Sequence, residues 1–330
     1  MSVFWRMLFS AILLAAGTVA ASARSVTIAL QPGIAFLPVV VADAEGILRE
    51  EAAAAGVSDL TVKLTMVSGG PAANDAIISG AADLVGLGIP PLLVVWDKTR
   101  HRNPAKIVAG CTILPYTLFT NDPSKHSIAD FTESDRIAVN ATTSVSAMLL
   151  RIAAAKKFGD AGWQKLDSMM VSMPHPESMN AVLNKSGITA YFSVPPFTDR
   201  LRRSGKLSVV TTSKDILGEE ATGGLIAARE SFFQSNKDLV LALNRAMRRA
   251  IDLIHKNPRL AAQVYLRTVK VTTSVDDMVA IISDPDMGYS EIPKGIMVYA
   301  DYMKKWGLIE HRPKSPDEVM FSDAIGPGAN

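Results

Sequence analysis

A single cysteine, Cys111, is present in 330 residues, so no disulfide can form within the chain. It sits in the apolar run KIVAGCTIL and reads as a buried, inert thiol. Charge of one sign is also lacking: 34 Lys and Arg stand against 32 Asp and Glu. That balance removes the basis for nucleic-acid binding, which needs a basic stripe. The five histidines, His101, His126, His175, His255 and His311, are scattered without the i, i+4 pairing of H-E-x-x-H, so neither a metal nor another cofactor is expected. Catalytic motifs are missing too. No G-x-S-x-G, Walker A or complete G-x-G-x-x-G occurs, and GLGIPP stops after its second glycine. A binding module is therefore favoured over an enzyme, although a triad assembled in space leaves no such motif.

Long apolar runs are absent after residue 23. Before it, MSVFWRMLFSAILLAAGTVAASA has one basic residue, Arg6, an apolar core, and Ala21-Ser22-Ala23 in the small-x-small pattern of a signal-peptidase site. The run is short for a spanning helix. Residues 1–23 are thus expected to be a signal peptide cleaved after Ala23, leaving a soluble, exported chain with a net charge of +1 once Arg6 is removed. Repeats of solenoid period and low-complexity segments beyond the alanines of 52–55 are likewise missing.

What is present is a chain that is 48% hydrophobic, enough for about two domains of roughly 100 to 200 residues. SVTIAL, TVKLTMVS, ADLVGLGI and KIVAGCTI read as strands separated by helical periodicity, the βαβ pattern of a mainly parallel sheet. A second series starts near Pro115 with YTLFTN, RIAVNAT, SMMVSM and ITAYFSV, interleaved with helices such as SVSAMLLRIAAAKKFG. After KLSVVTTS the pattern turns to helices, each opened by a capping or proline signal. Such a tail should pack back on the first lobe. The expected organisation is one lobe from 24–114 and 213–330, and a second from 115–212.

Five strand-to-helix junctions share one build. VSGGPAAND ends its strand at Ser68 and offers Gly70 as N-cap with Pro71 at the first helical position. GLGIPPLLVVW offers Gly88 and Pro90-Pro91, VNATTSVSAMLL offers Thr142, Thr143 and Ser144, VSMPHPESMN offers His175 and Pro176, and YFSVPPFTD offers Ser193 and Pro195-Pro196. Each lies at the carboxyl end of an expected parallel strand, where open α/β sheets bind ligands. Each exposes helix N-terminal N–H groups, and none carries Lys or Arg at its tip. The pattern points to a neutral cradle of backbone donors and hydroxyls for a small anion. Asp75 and Glu177, expected in first turns, would have to face outward.

The same segments carry a family resemblance. VTIALQPGIAFLPVVVADAEGIL, SGGPAANDAIISGAADLVGLGIPPLL, DRIAVNATTSVSAMLLRIAAAKKFGD, SMPHPESMNAVLN, ITAYFSVPPF and DPDMGYSEIPKGIMVYADYMKKWGLI resemble the solute-binding proteins of the nitrate, sulfonate and taurine class of ABC importers, over nearly the whole mature chain. The resemblance implies a type II periplasmic binding protein, α/β with two lobes, each a mainly parallel sheet flanked by helices. It implies a monomer that closes on a small anionic ligand in the periplasm and docks to an inner-membrane permease with its ATPase. It further implies ligand contacts from Gln31, Pro32 and Phe36, from Ser68, Gly69 and Gly70, from Gly88, Ile89 and Pro90, from Thr142, Thr143 and Ser144, and from Ser193 and Pro195. Relatives bind sulfonates, nitrate or pyrimidine precursors of thiamine, and a sensor or scavenger without a transporter is a further alternative. Trp96, Tyr116 and Phe36 read either as core or as pocket wall. RLRRSGK (200–206) and KTRHR (98–102) read as solvated helix ends, and Met169, Met170 and Met173 as core filling.

Overall fold

The computed structural model describes residues 24–269 and 273–325; the expected leader lies outside them. The chain first builds β1 (Ser25–Leu30), β2 (Thr61–Met66), β3 (Leu84–Leu87) and β4 (Ala105–Ile113). It then crosses to β5 (Thr117–Thr120), β6 (Ile137–Val139), β7 (Met170–Ser172), β8 (Ala190–Ser193) and β9 (Ser208–Thr212), and returns with β10 (Thr222–Arg229) and β11 (Gly288–Tyr289). Two sheets result, ordered β11-β4-β10-β3-β1-β2 and β7-β6-β8-β5-β9.

Each sheet has a parallel body and a reversed strand inside it, and the first also carries a reversed edge strand, β11, beside β4. In the first, β1 pairs parallel with β2 and β3, whereas β10 runs antiparallel between β3 and β4. In the second, β6 pairs parallel with β7 and β8, and β5 runs antiparallel between β8 and β9. The reversed strands β5 and β10 are the first ones the chain lays down after each crossing, so they enter the new sheet from the side of the crossing. β10 corrects the expectation that only helices follow KLSVVTTS. Its stretch TGGLIAAR looks weak as a strand because glycine loses more entropy on ordering than other residues. The glycines are nevertheless required there. A Cβ on Gly224 would lie 2.4 Å from the Ala35 carbonyl, and one on Gly223 would lie 2.7 Å from the Leu114 side chain.

The helices are α1 (Leu37–Ala44), α2 (Ile47–Ala54), α3 (Gly70–Ser79), α4 (Ile89–Thr99), α5 (Val145–Phe158), α6 (His175–Leu183), α7 (Phe197–Ser204), α8 (Ser213–Leu217), α9 (Glu230–Ser235), α10 (Lys237–Lys256), α11 (Pro258–Val269), α12 (Val275–Ile282), α13 (Ile296–Lys305) and α14 (Ser322–Ile325). In α10, Leu239, Val240, Leu243, Ala246, Met247, Ala250 and Ile254 are buried at helical spacing. That stripe packs on α1, α2 and β4, while Arg245 and Arg249 on its flank pair with Glu51 of α2. The late helices therefore cover the first sheet. α5 is apolar nearly all round, with every residue from Val145 to Ala155 buried. A helix of that kind must be covered on every side, and α5 meets α4 of the first sheet's layer as well as α8. One large core cluster runs through both layers, and a smaller one around Phe119, Met179, Val182, Tyr191 and Leu201 underlies the second sheet.

Candidate functional site

The carboxyl ends of β1, β2 and β3 face those of β6, β7 and β8 across a cleft, and the helix after each of five of these strands starts there. β2 leads to α3, β3 to α4, β6 to α5, β7 to α6 and β8 to α7. A cavity of about 60 Å³ lies between them, room for on the order of four water molecules. The first sheet contributes the loop after β1 from Gln31 to Phe36, with Gly70, Gly88, Pro91 and Gly223. The second contributes Asn140 and Ala141, then Thr143 to Ser146, His175 and Val194; Leu114 and Tyr116 come from the crossing.

Of the residues expected from sequence, Gln31, Pro32, Phe36, Gly70, Gly88, Thr143 and Ser144 line the cavity, and Ser68, Gly69, Ile89, Pro90, Thr142, Ser193 and Pro195 stand back from it. Gly69, not Gly70, is the N-cap of α3; Gly70 and Pro71 are its first two residues. Ile89 is fully buried beneath the site, and Ser68 is exposed. The Thr142 carbonyl accepts from Arg151 Nη1 at 2.8 Å. Ser193 Oγ accepts from Thr198 at 3.1 Å, and α7 begins only at Phe197. Tyr116 and His175 line the cavity and Trp96 is core. Asn140 and Gly223 were among those missed, as were Leu114, Ala141, Ser146 and Val194. Asn140 directly follows β6 and stands two residues before Thr142, a polar residue just past a carboxyl strand end, and so was findable; Gly223 was hidden with β10. Asp75 lies beyond the first turn of α3, and both it and Glu177 are exposed.

The site is electrically quiet. Among the described residues, those lining it include no Lys, Arg, Asp or Glu. Burial pushes the His175 pKa down to about 4 and the Tyr116 hydroxyl well up, so both are neutral near pH 7. His175 Nδ1 and the Tyr191 hydroxyl are 2.6 Å apart, and its ring stacks on Phe197 with centroids 5.7 Å apart. Polarity comes instead from the helix ends. No side chain among the described residues caps α3, α4 or α6, so first-turn N–H groups there keep their partial positive charge. In α5 the Ser144 hydroxyl caps the Ala147 N–H at 3.4 Å and shares a 2.8 Å hydrogen bond with Ser146.

The lobes touch across the cleft. Asn140 Nδ2 donates to Gln31 Oε1 at 3.2 Å, and Gln31 Nε2 donates to the Gly86 carbonyl at 3.1 Å. Both ends of the Gln31 carboxamide are thus engaged, one of them by the other lobe. Gly88 meets Val145 of the other lobe so closely that a Cβ on it would lie 2.4 Å from Val145 Cγ2.

Comparison with known proteins places this architecture. Residues 20–266 match the model of the NMT1-like family. The chain belongs to the NMT1-like family. This NMT1-like protein matches no curated protein by sequence, but its fold recurs among solved structures. A protein from Bordetella bronchiseptica RB50 is 22% identical with a TM-score of 0.72, covering 90% of this chain and 94% of that one. The nitrate-binding protein NrtA from Synechocystis PCC 6803 is 13% identical with a TM-score of 0.70, covering 92% and 86%. The alkanesulfonate-binding protein SsuA from Xanthomonas axonopodis pv. citri, bound to MOPS, is 14% identical with a TM-score of 0.67, covering 91% and 97%. The NMT1-like chain thus has the two-lobed α/β fold of the periplasmic binding proteins.

Proposed function

We propose that this protein is the periplasmic solute-binding component of an ABC importer. It captures a small anion of dispersed charge, of the sulfonate, taurine or nitrate type, between lobes formed by 24–114 with 213–330 and by 115–212. It is exported with loss of residues 1–23, works as a monomer and delivers its ligand unchanged to a permease and ATPase. One observation carries this reading: uncapped helix N-termini from both lobes converge on a single cavity whose described walls hold no carboxylate. Backbone N–H groups and helix dipoles suit an anion, and a site without an opposing charge suits one whose charge is spread over several oxygens. Solved relatives of the same fold named for nitrate and for alkanesulfonate support the class.

A second reading has its own support. With no cation among the described lining residues, the Phe36 ring and the Asn140 carboxamide also fit an uncharged heteroaromatic solute such as a pyrimidine precursor of thiamine. A thermal-shift screen of the mature protein against sulfonates, nitrate, sulfate, carboxylates and pyrimidines separates them. A ligand at a hundredfold excess over its dissociation constant stabilises the fold by about 2.7 kcal/mol. Stabilisation by sulfonates or nitrate and not by pyrimidines is expected; the reverse would replace the first reading by the second. Recovery of a chemically altered ligand would reject binding without turnover.

A further inference from the structure

We propose that Phe36, seated on Gly86, sets the length of the solute that the cleft accepts, favouring short solutes over long ones. The inference rests on the solute-binding reading above and deepens it.

Phe36 closes a three-residue 3-10 turn, Ile34–Phe36, directly after the loop that follows β1. Three strands hold that turn. On β3, a Cβ at Gly86 would meet three Phe36 ring carbons at 2.6, 2.8 and 2.9 Å, so the ring occupies the place of the missing side chain. On β10, Gly224 lies under Ala35, and on β4 the Thr112 hydroxyl donates to the Ala35 carbonyl at 3.0 Å. The ring is 5% exposed and lines the cavity, so it has no room to retreat into the strand behind it.

Ile34, Ala35 and Pro91 share the layer of Phe36 but are smaller, whereas the larger walls Tyr116 and Val194 are differently placed. Tyr116 and Val194 belong to the crossing and to the second sheet, so their distance from the α3 and α4 N-termini varies with closure. Phe36 belongs to the same sheet layer as those N-termini, so its distance from them would not depend on a movement of one lobe against the other. With about 60 Å³ between the walls, room for on the order of four waters, the space ahead of the ring is short. A longer tail directed at the ring would have to displace it.

The test is calorimetric titration of wild type, Phe36→Leu and Phe36→Ala with straight-chain alkanesulfonates of increasing length, and in parallel with pyrimidines bearing 5-alkyl groups of increasing length. Phe36→Leu keeps an apolar side chain on Gly86 and serves if the alanine variant does not fold. Wild type is expected to favour the shortest members, and the preference for short over long should fall at least about tenfold, roughly 1.4 kcal/mol, in the leucine variant and further in the alanine variant. Sulfonate binding with an unchanged length preference in both folded variants would overturn the role of Phe36 and leave the anion reading standing. A length shift in the pyrimidine series alone would keep the role of Phe36 and overturn the anion reading. A wild type that binds neither series overturns both.

Discussion

Gly70 stands where backbone and ligand should approach most closely. It is buried, lines the cavity and has no atom within 4 Å of the place a Cβ would take. Gly70→Asp should therefore fit, and a carboxylate in the first turn of α3 favours the helix. The same carboxylate would hold the N–H groups an anion needs and repel the anion. Near-normal melting of the apo protein with binding weakened at least about tenfold, roughly 1.4 kcal/mol, is expected by calorimetry. Undiminished affinity would remove α3 from the site. His175 gives a pH signature. Its folded pKa is lowered by burial to about 4 from 6.5, so the unfolded chain binds the extra proton first. The stability from keeping the ring neutral is complete above about pH 6.5 and is lost as pH falls towards 4, by at most about 3 kcal/mol. Melting curves of wild type and His175→Asn between pH 4 and 7 should show a steeper decline in wild type; parallel curves would deny the burial cost.

Between elements, the α4 and α5 N-termini meet closely across the cleft, where Gly88 admits Val145. Gly88 has an extended backbone with φ −97°, so an alanine there is not strained by its dihedrals. It is obstructed only by the other lobe. Gly88→Ala should hold the lobes apart and weaken ligand binding, and Val145→Ala, which removes the obstructing methyl groups, should restore much of the loss. The double-mutant cycle reads the coupling; additive effects would mean that Gly88 serves only its own helix. Some elements were legible beforehand. The small-residue junctions announced α3, α4, α5 and α6 because proline, glycine and serine at helix starts act locally. β10 was not legible, because Gly223 and Gly224 answer to Leu114 and Ala35, which lie far away in the chain.

Across the whole molecule, closure has side-chain contacts remote from the cavity. Trp163, after α5, stacks on Trp306 at the end of α13 with ring centroids 5.0 Å apart and planes 2° apart. Lys305 pairs with Asp160 beside them, and Arg203 of α7 pairs with Asp277 of α12. α13 packs on α4, so the stack ties the first lobe to the second. An aromatic pair contributes about 0.5–1.5 kcal/mol beyond its buried area, which corresponds to about a two- to thirteenfold change in the ratio of closed to open forms. Trp306→Ala should enlarge the radius seen by solution scattering of the apo protein and weaken ligand binding by a similar factor, with no change at the cavity itself. Equal scattering and affinity in variant and wild type would show that the stack does not report closure. Salt should matter little, since exposed pairs such as Lys305 with Asp160 are largely screened.

Sequence alone determined the alternation of strands and helices, the second series of strands, the covering late helices and the row of bare junctions. These depend on periodicity and on turn chemistry within a few residues, and the family resemblance rests on the same segments. Tertiary structure decided which residue of each junction faces the cleft. Gly70 lines it and Gly69 does not, Pro91 does and Pro90 does not, and Val194 does and Ser193 does not. Neighbouring residues on a helix start or strand end point in different directions, and a small change in the direction of approach selects among them. The Asn140 to Gln31 hydrogen bond and the seat of Phe36 on Gly86 join residues 109 and 50 positions apart. Such contacts exist only after sheets and lobes have come together, and no local pattern encodes them.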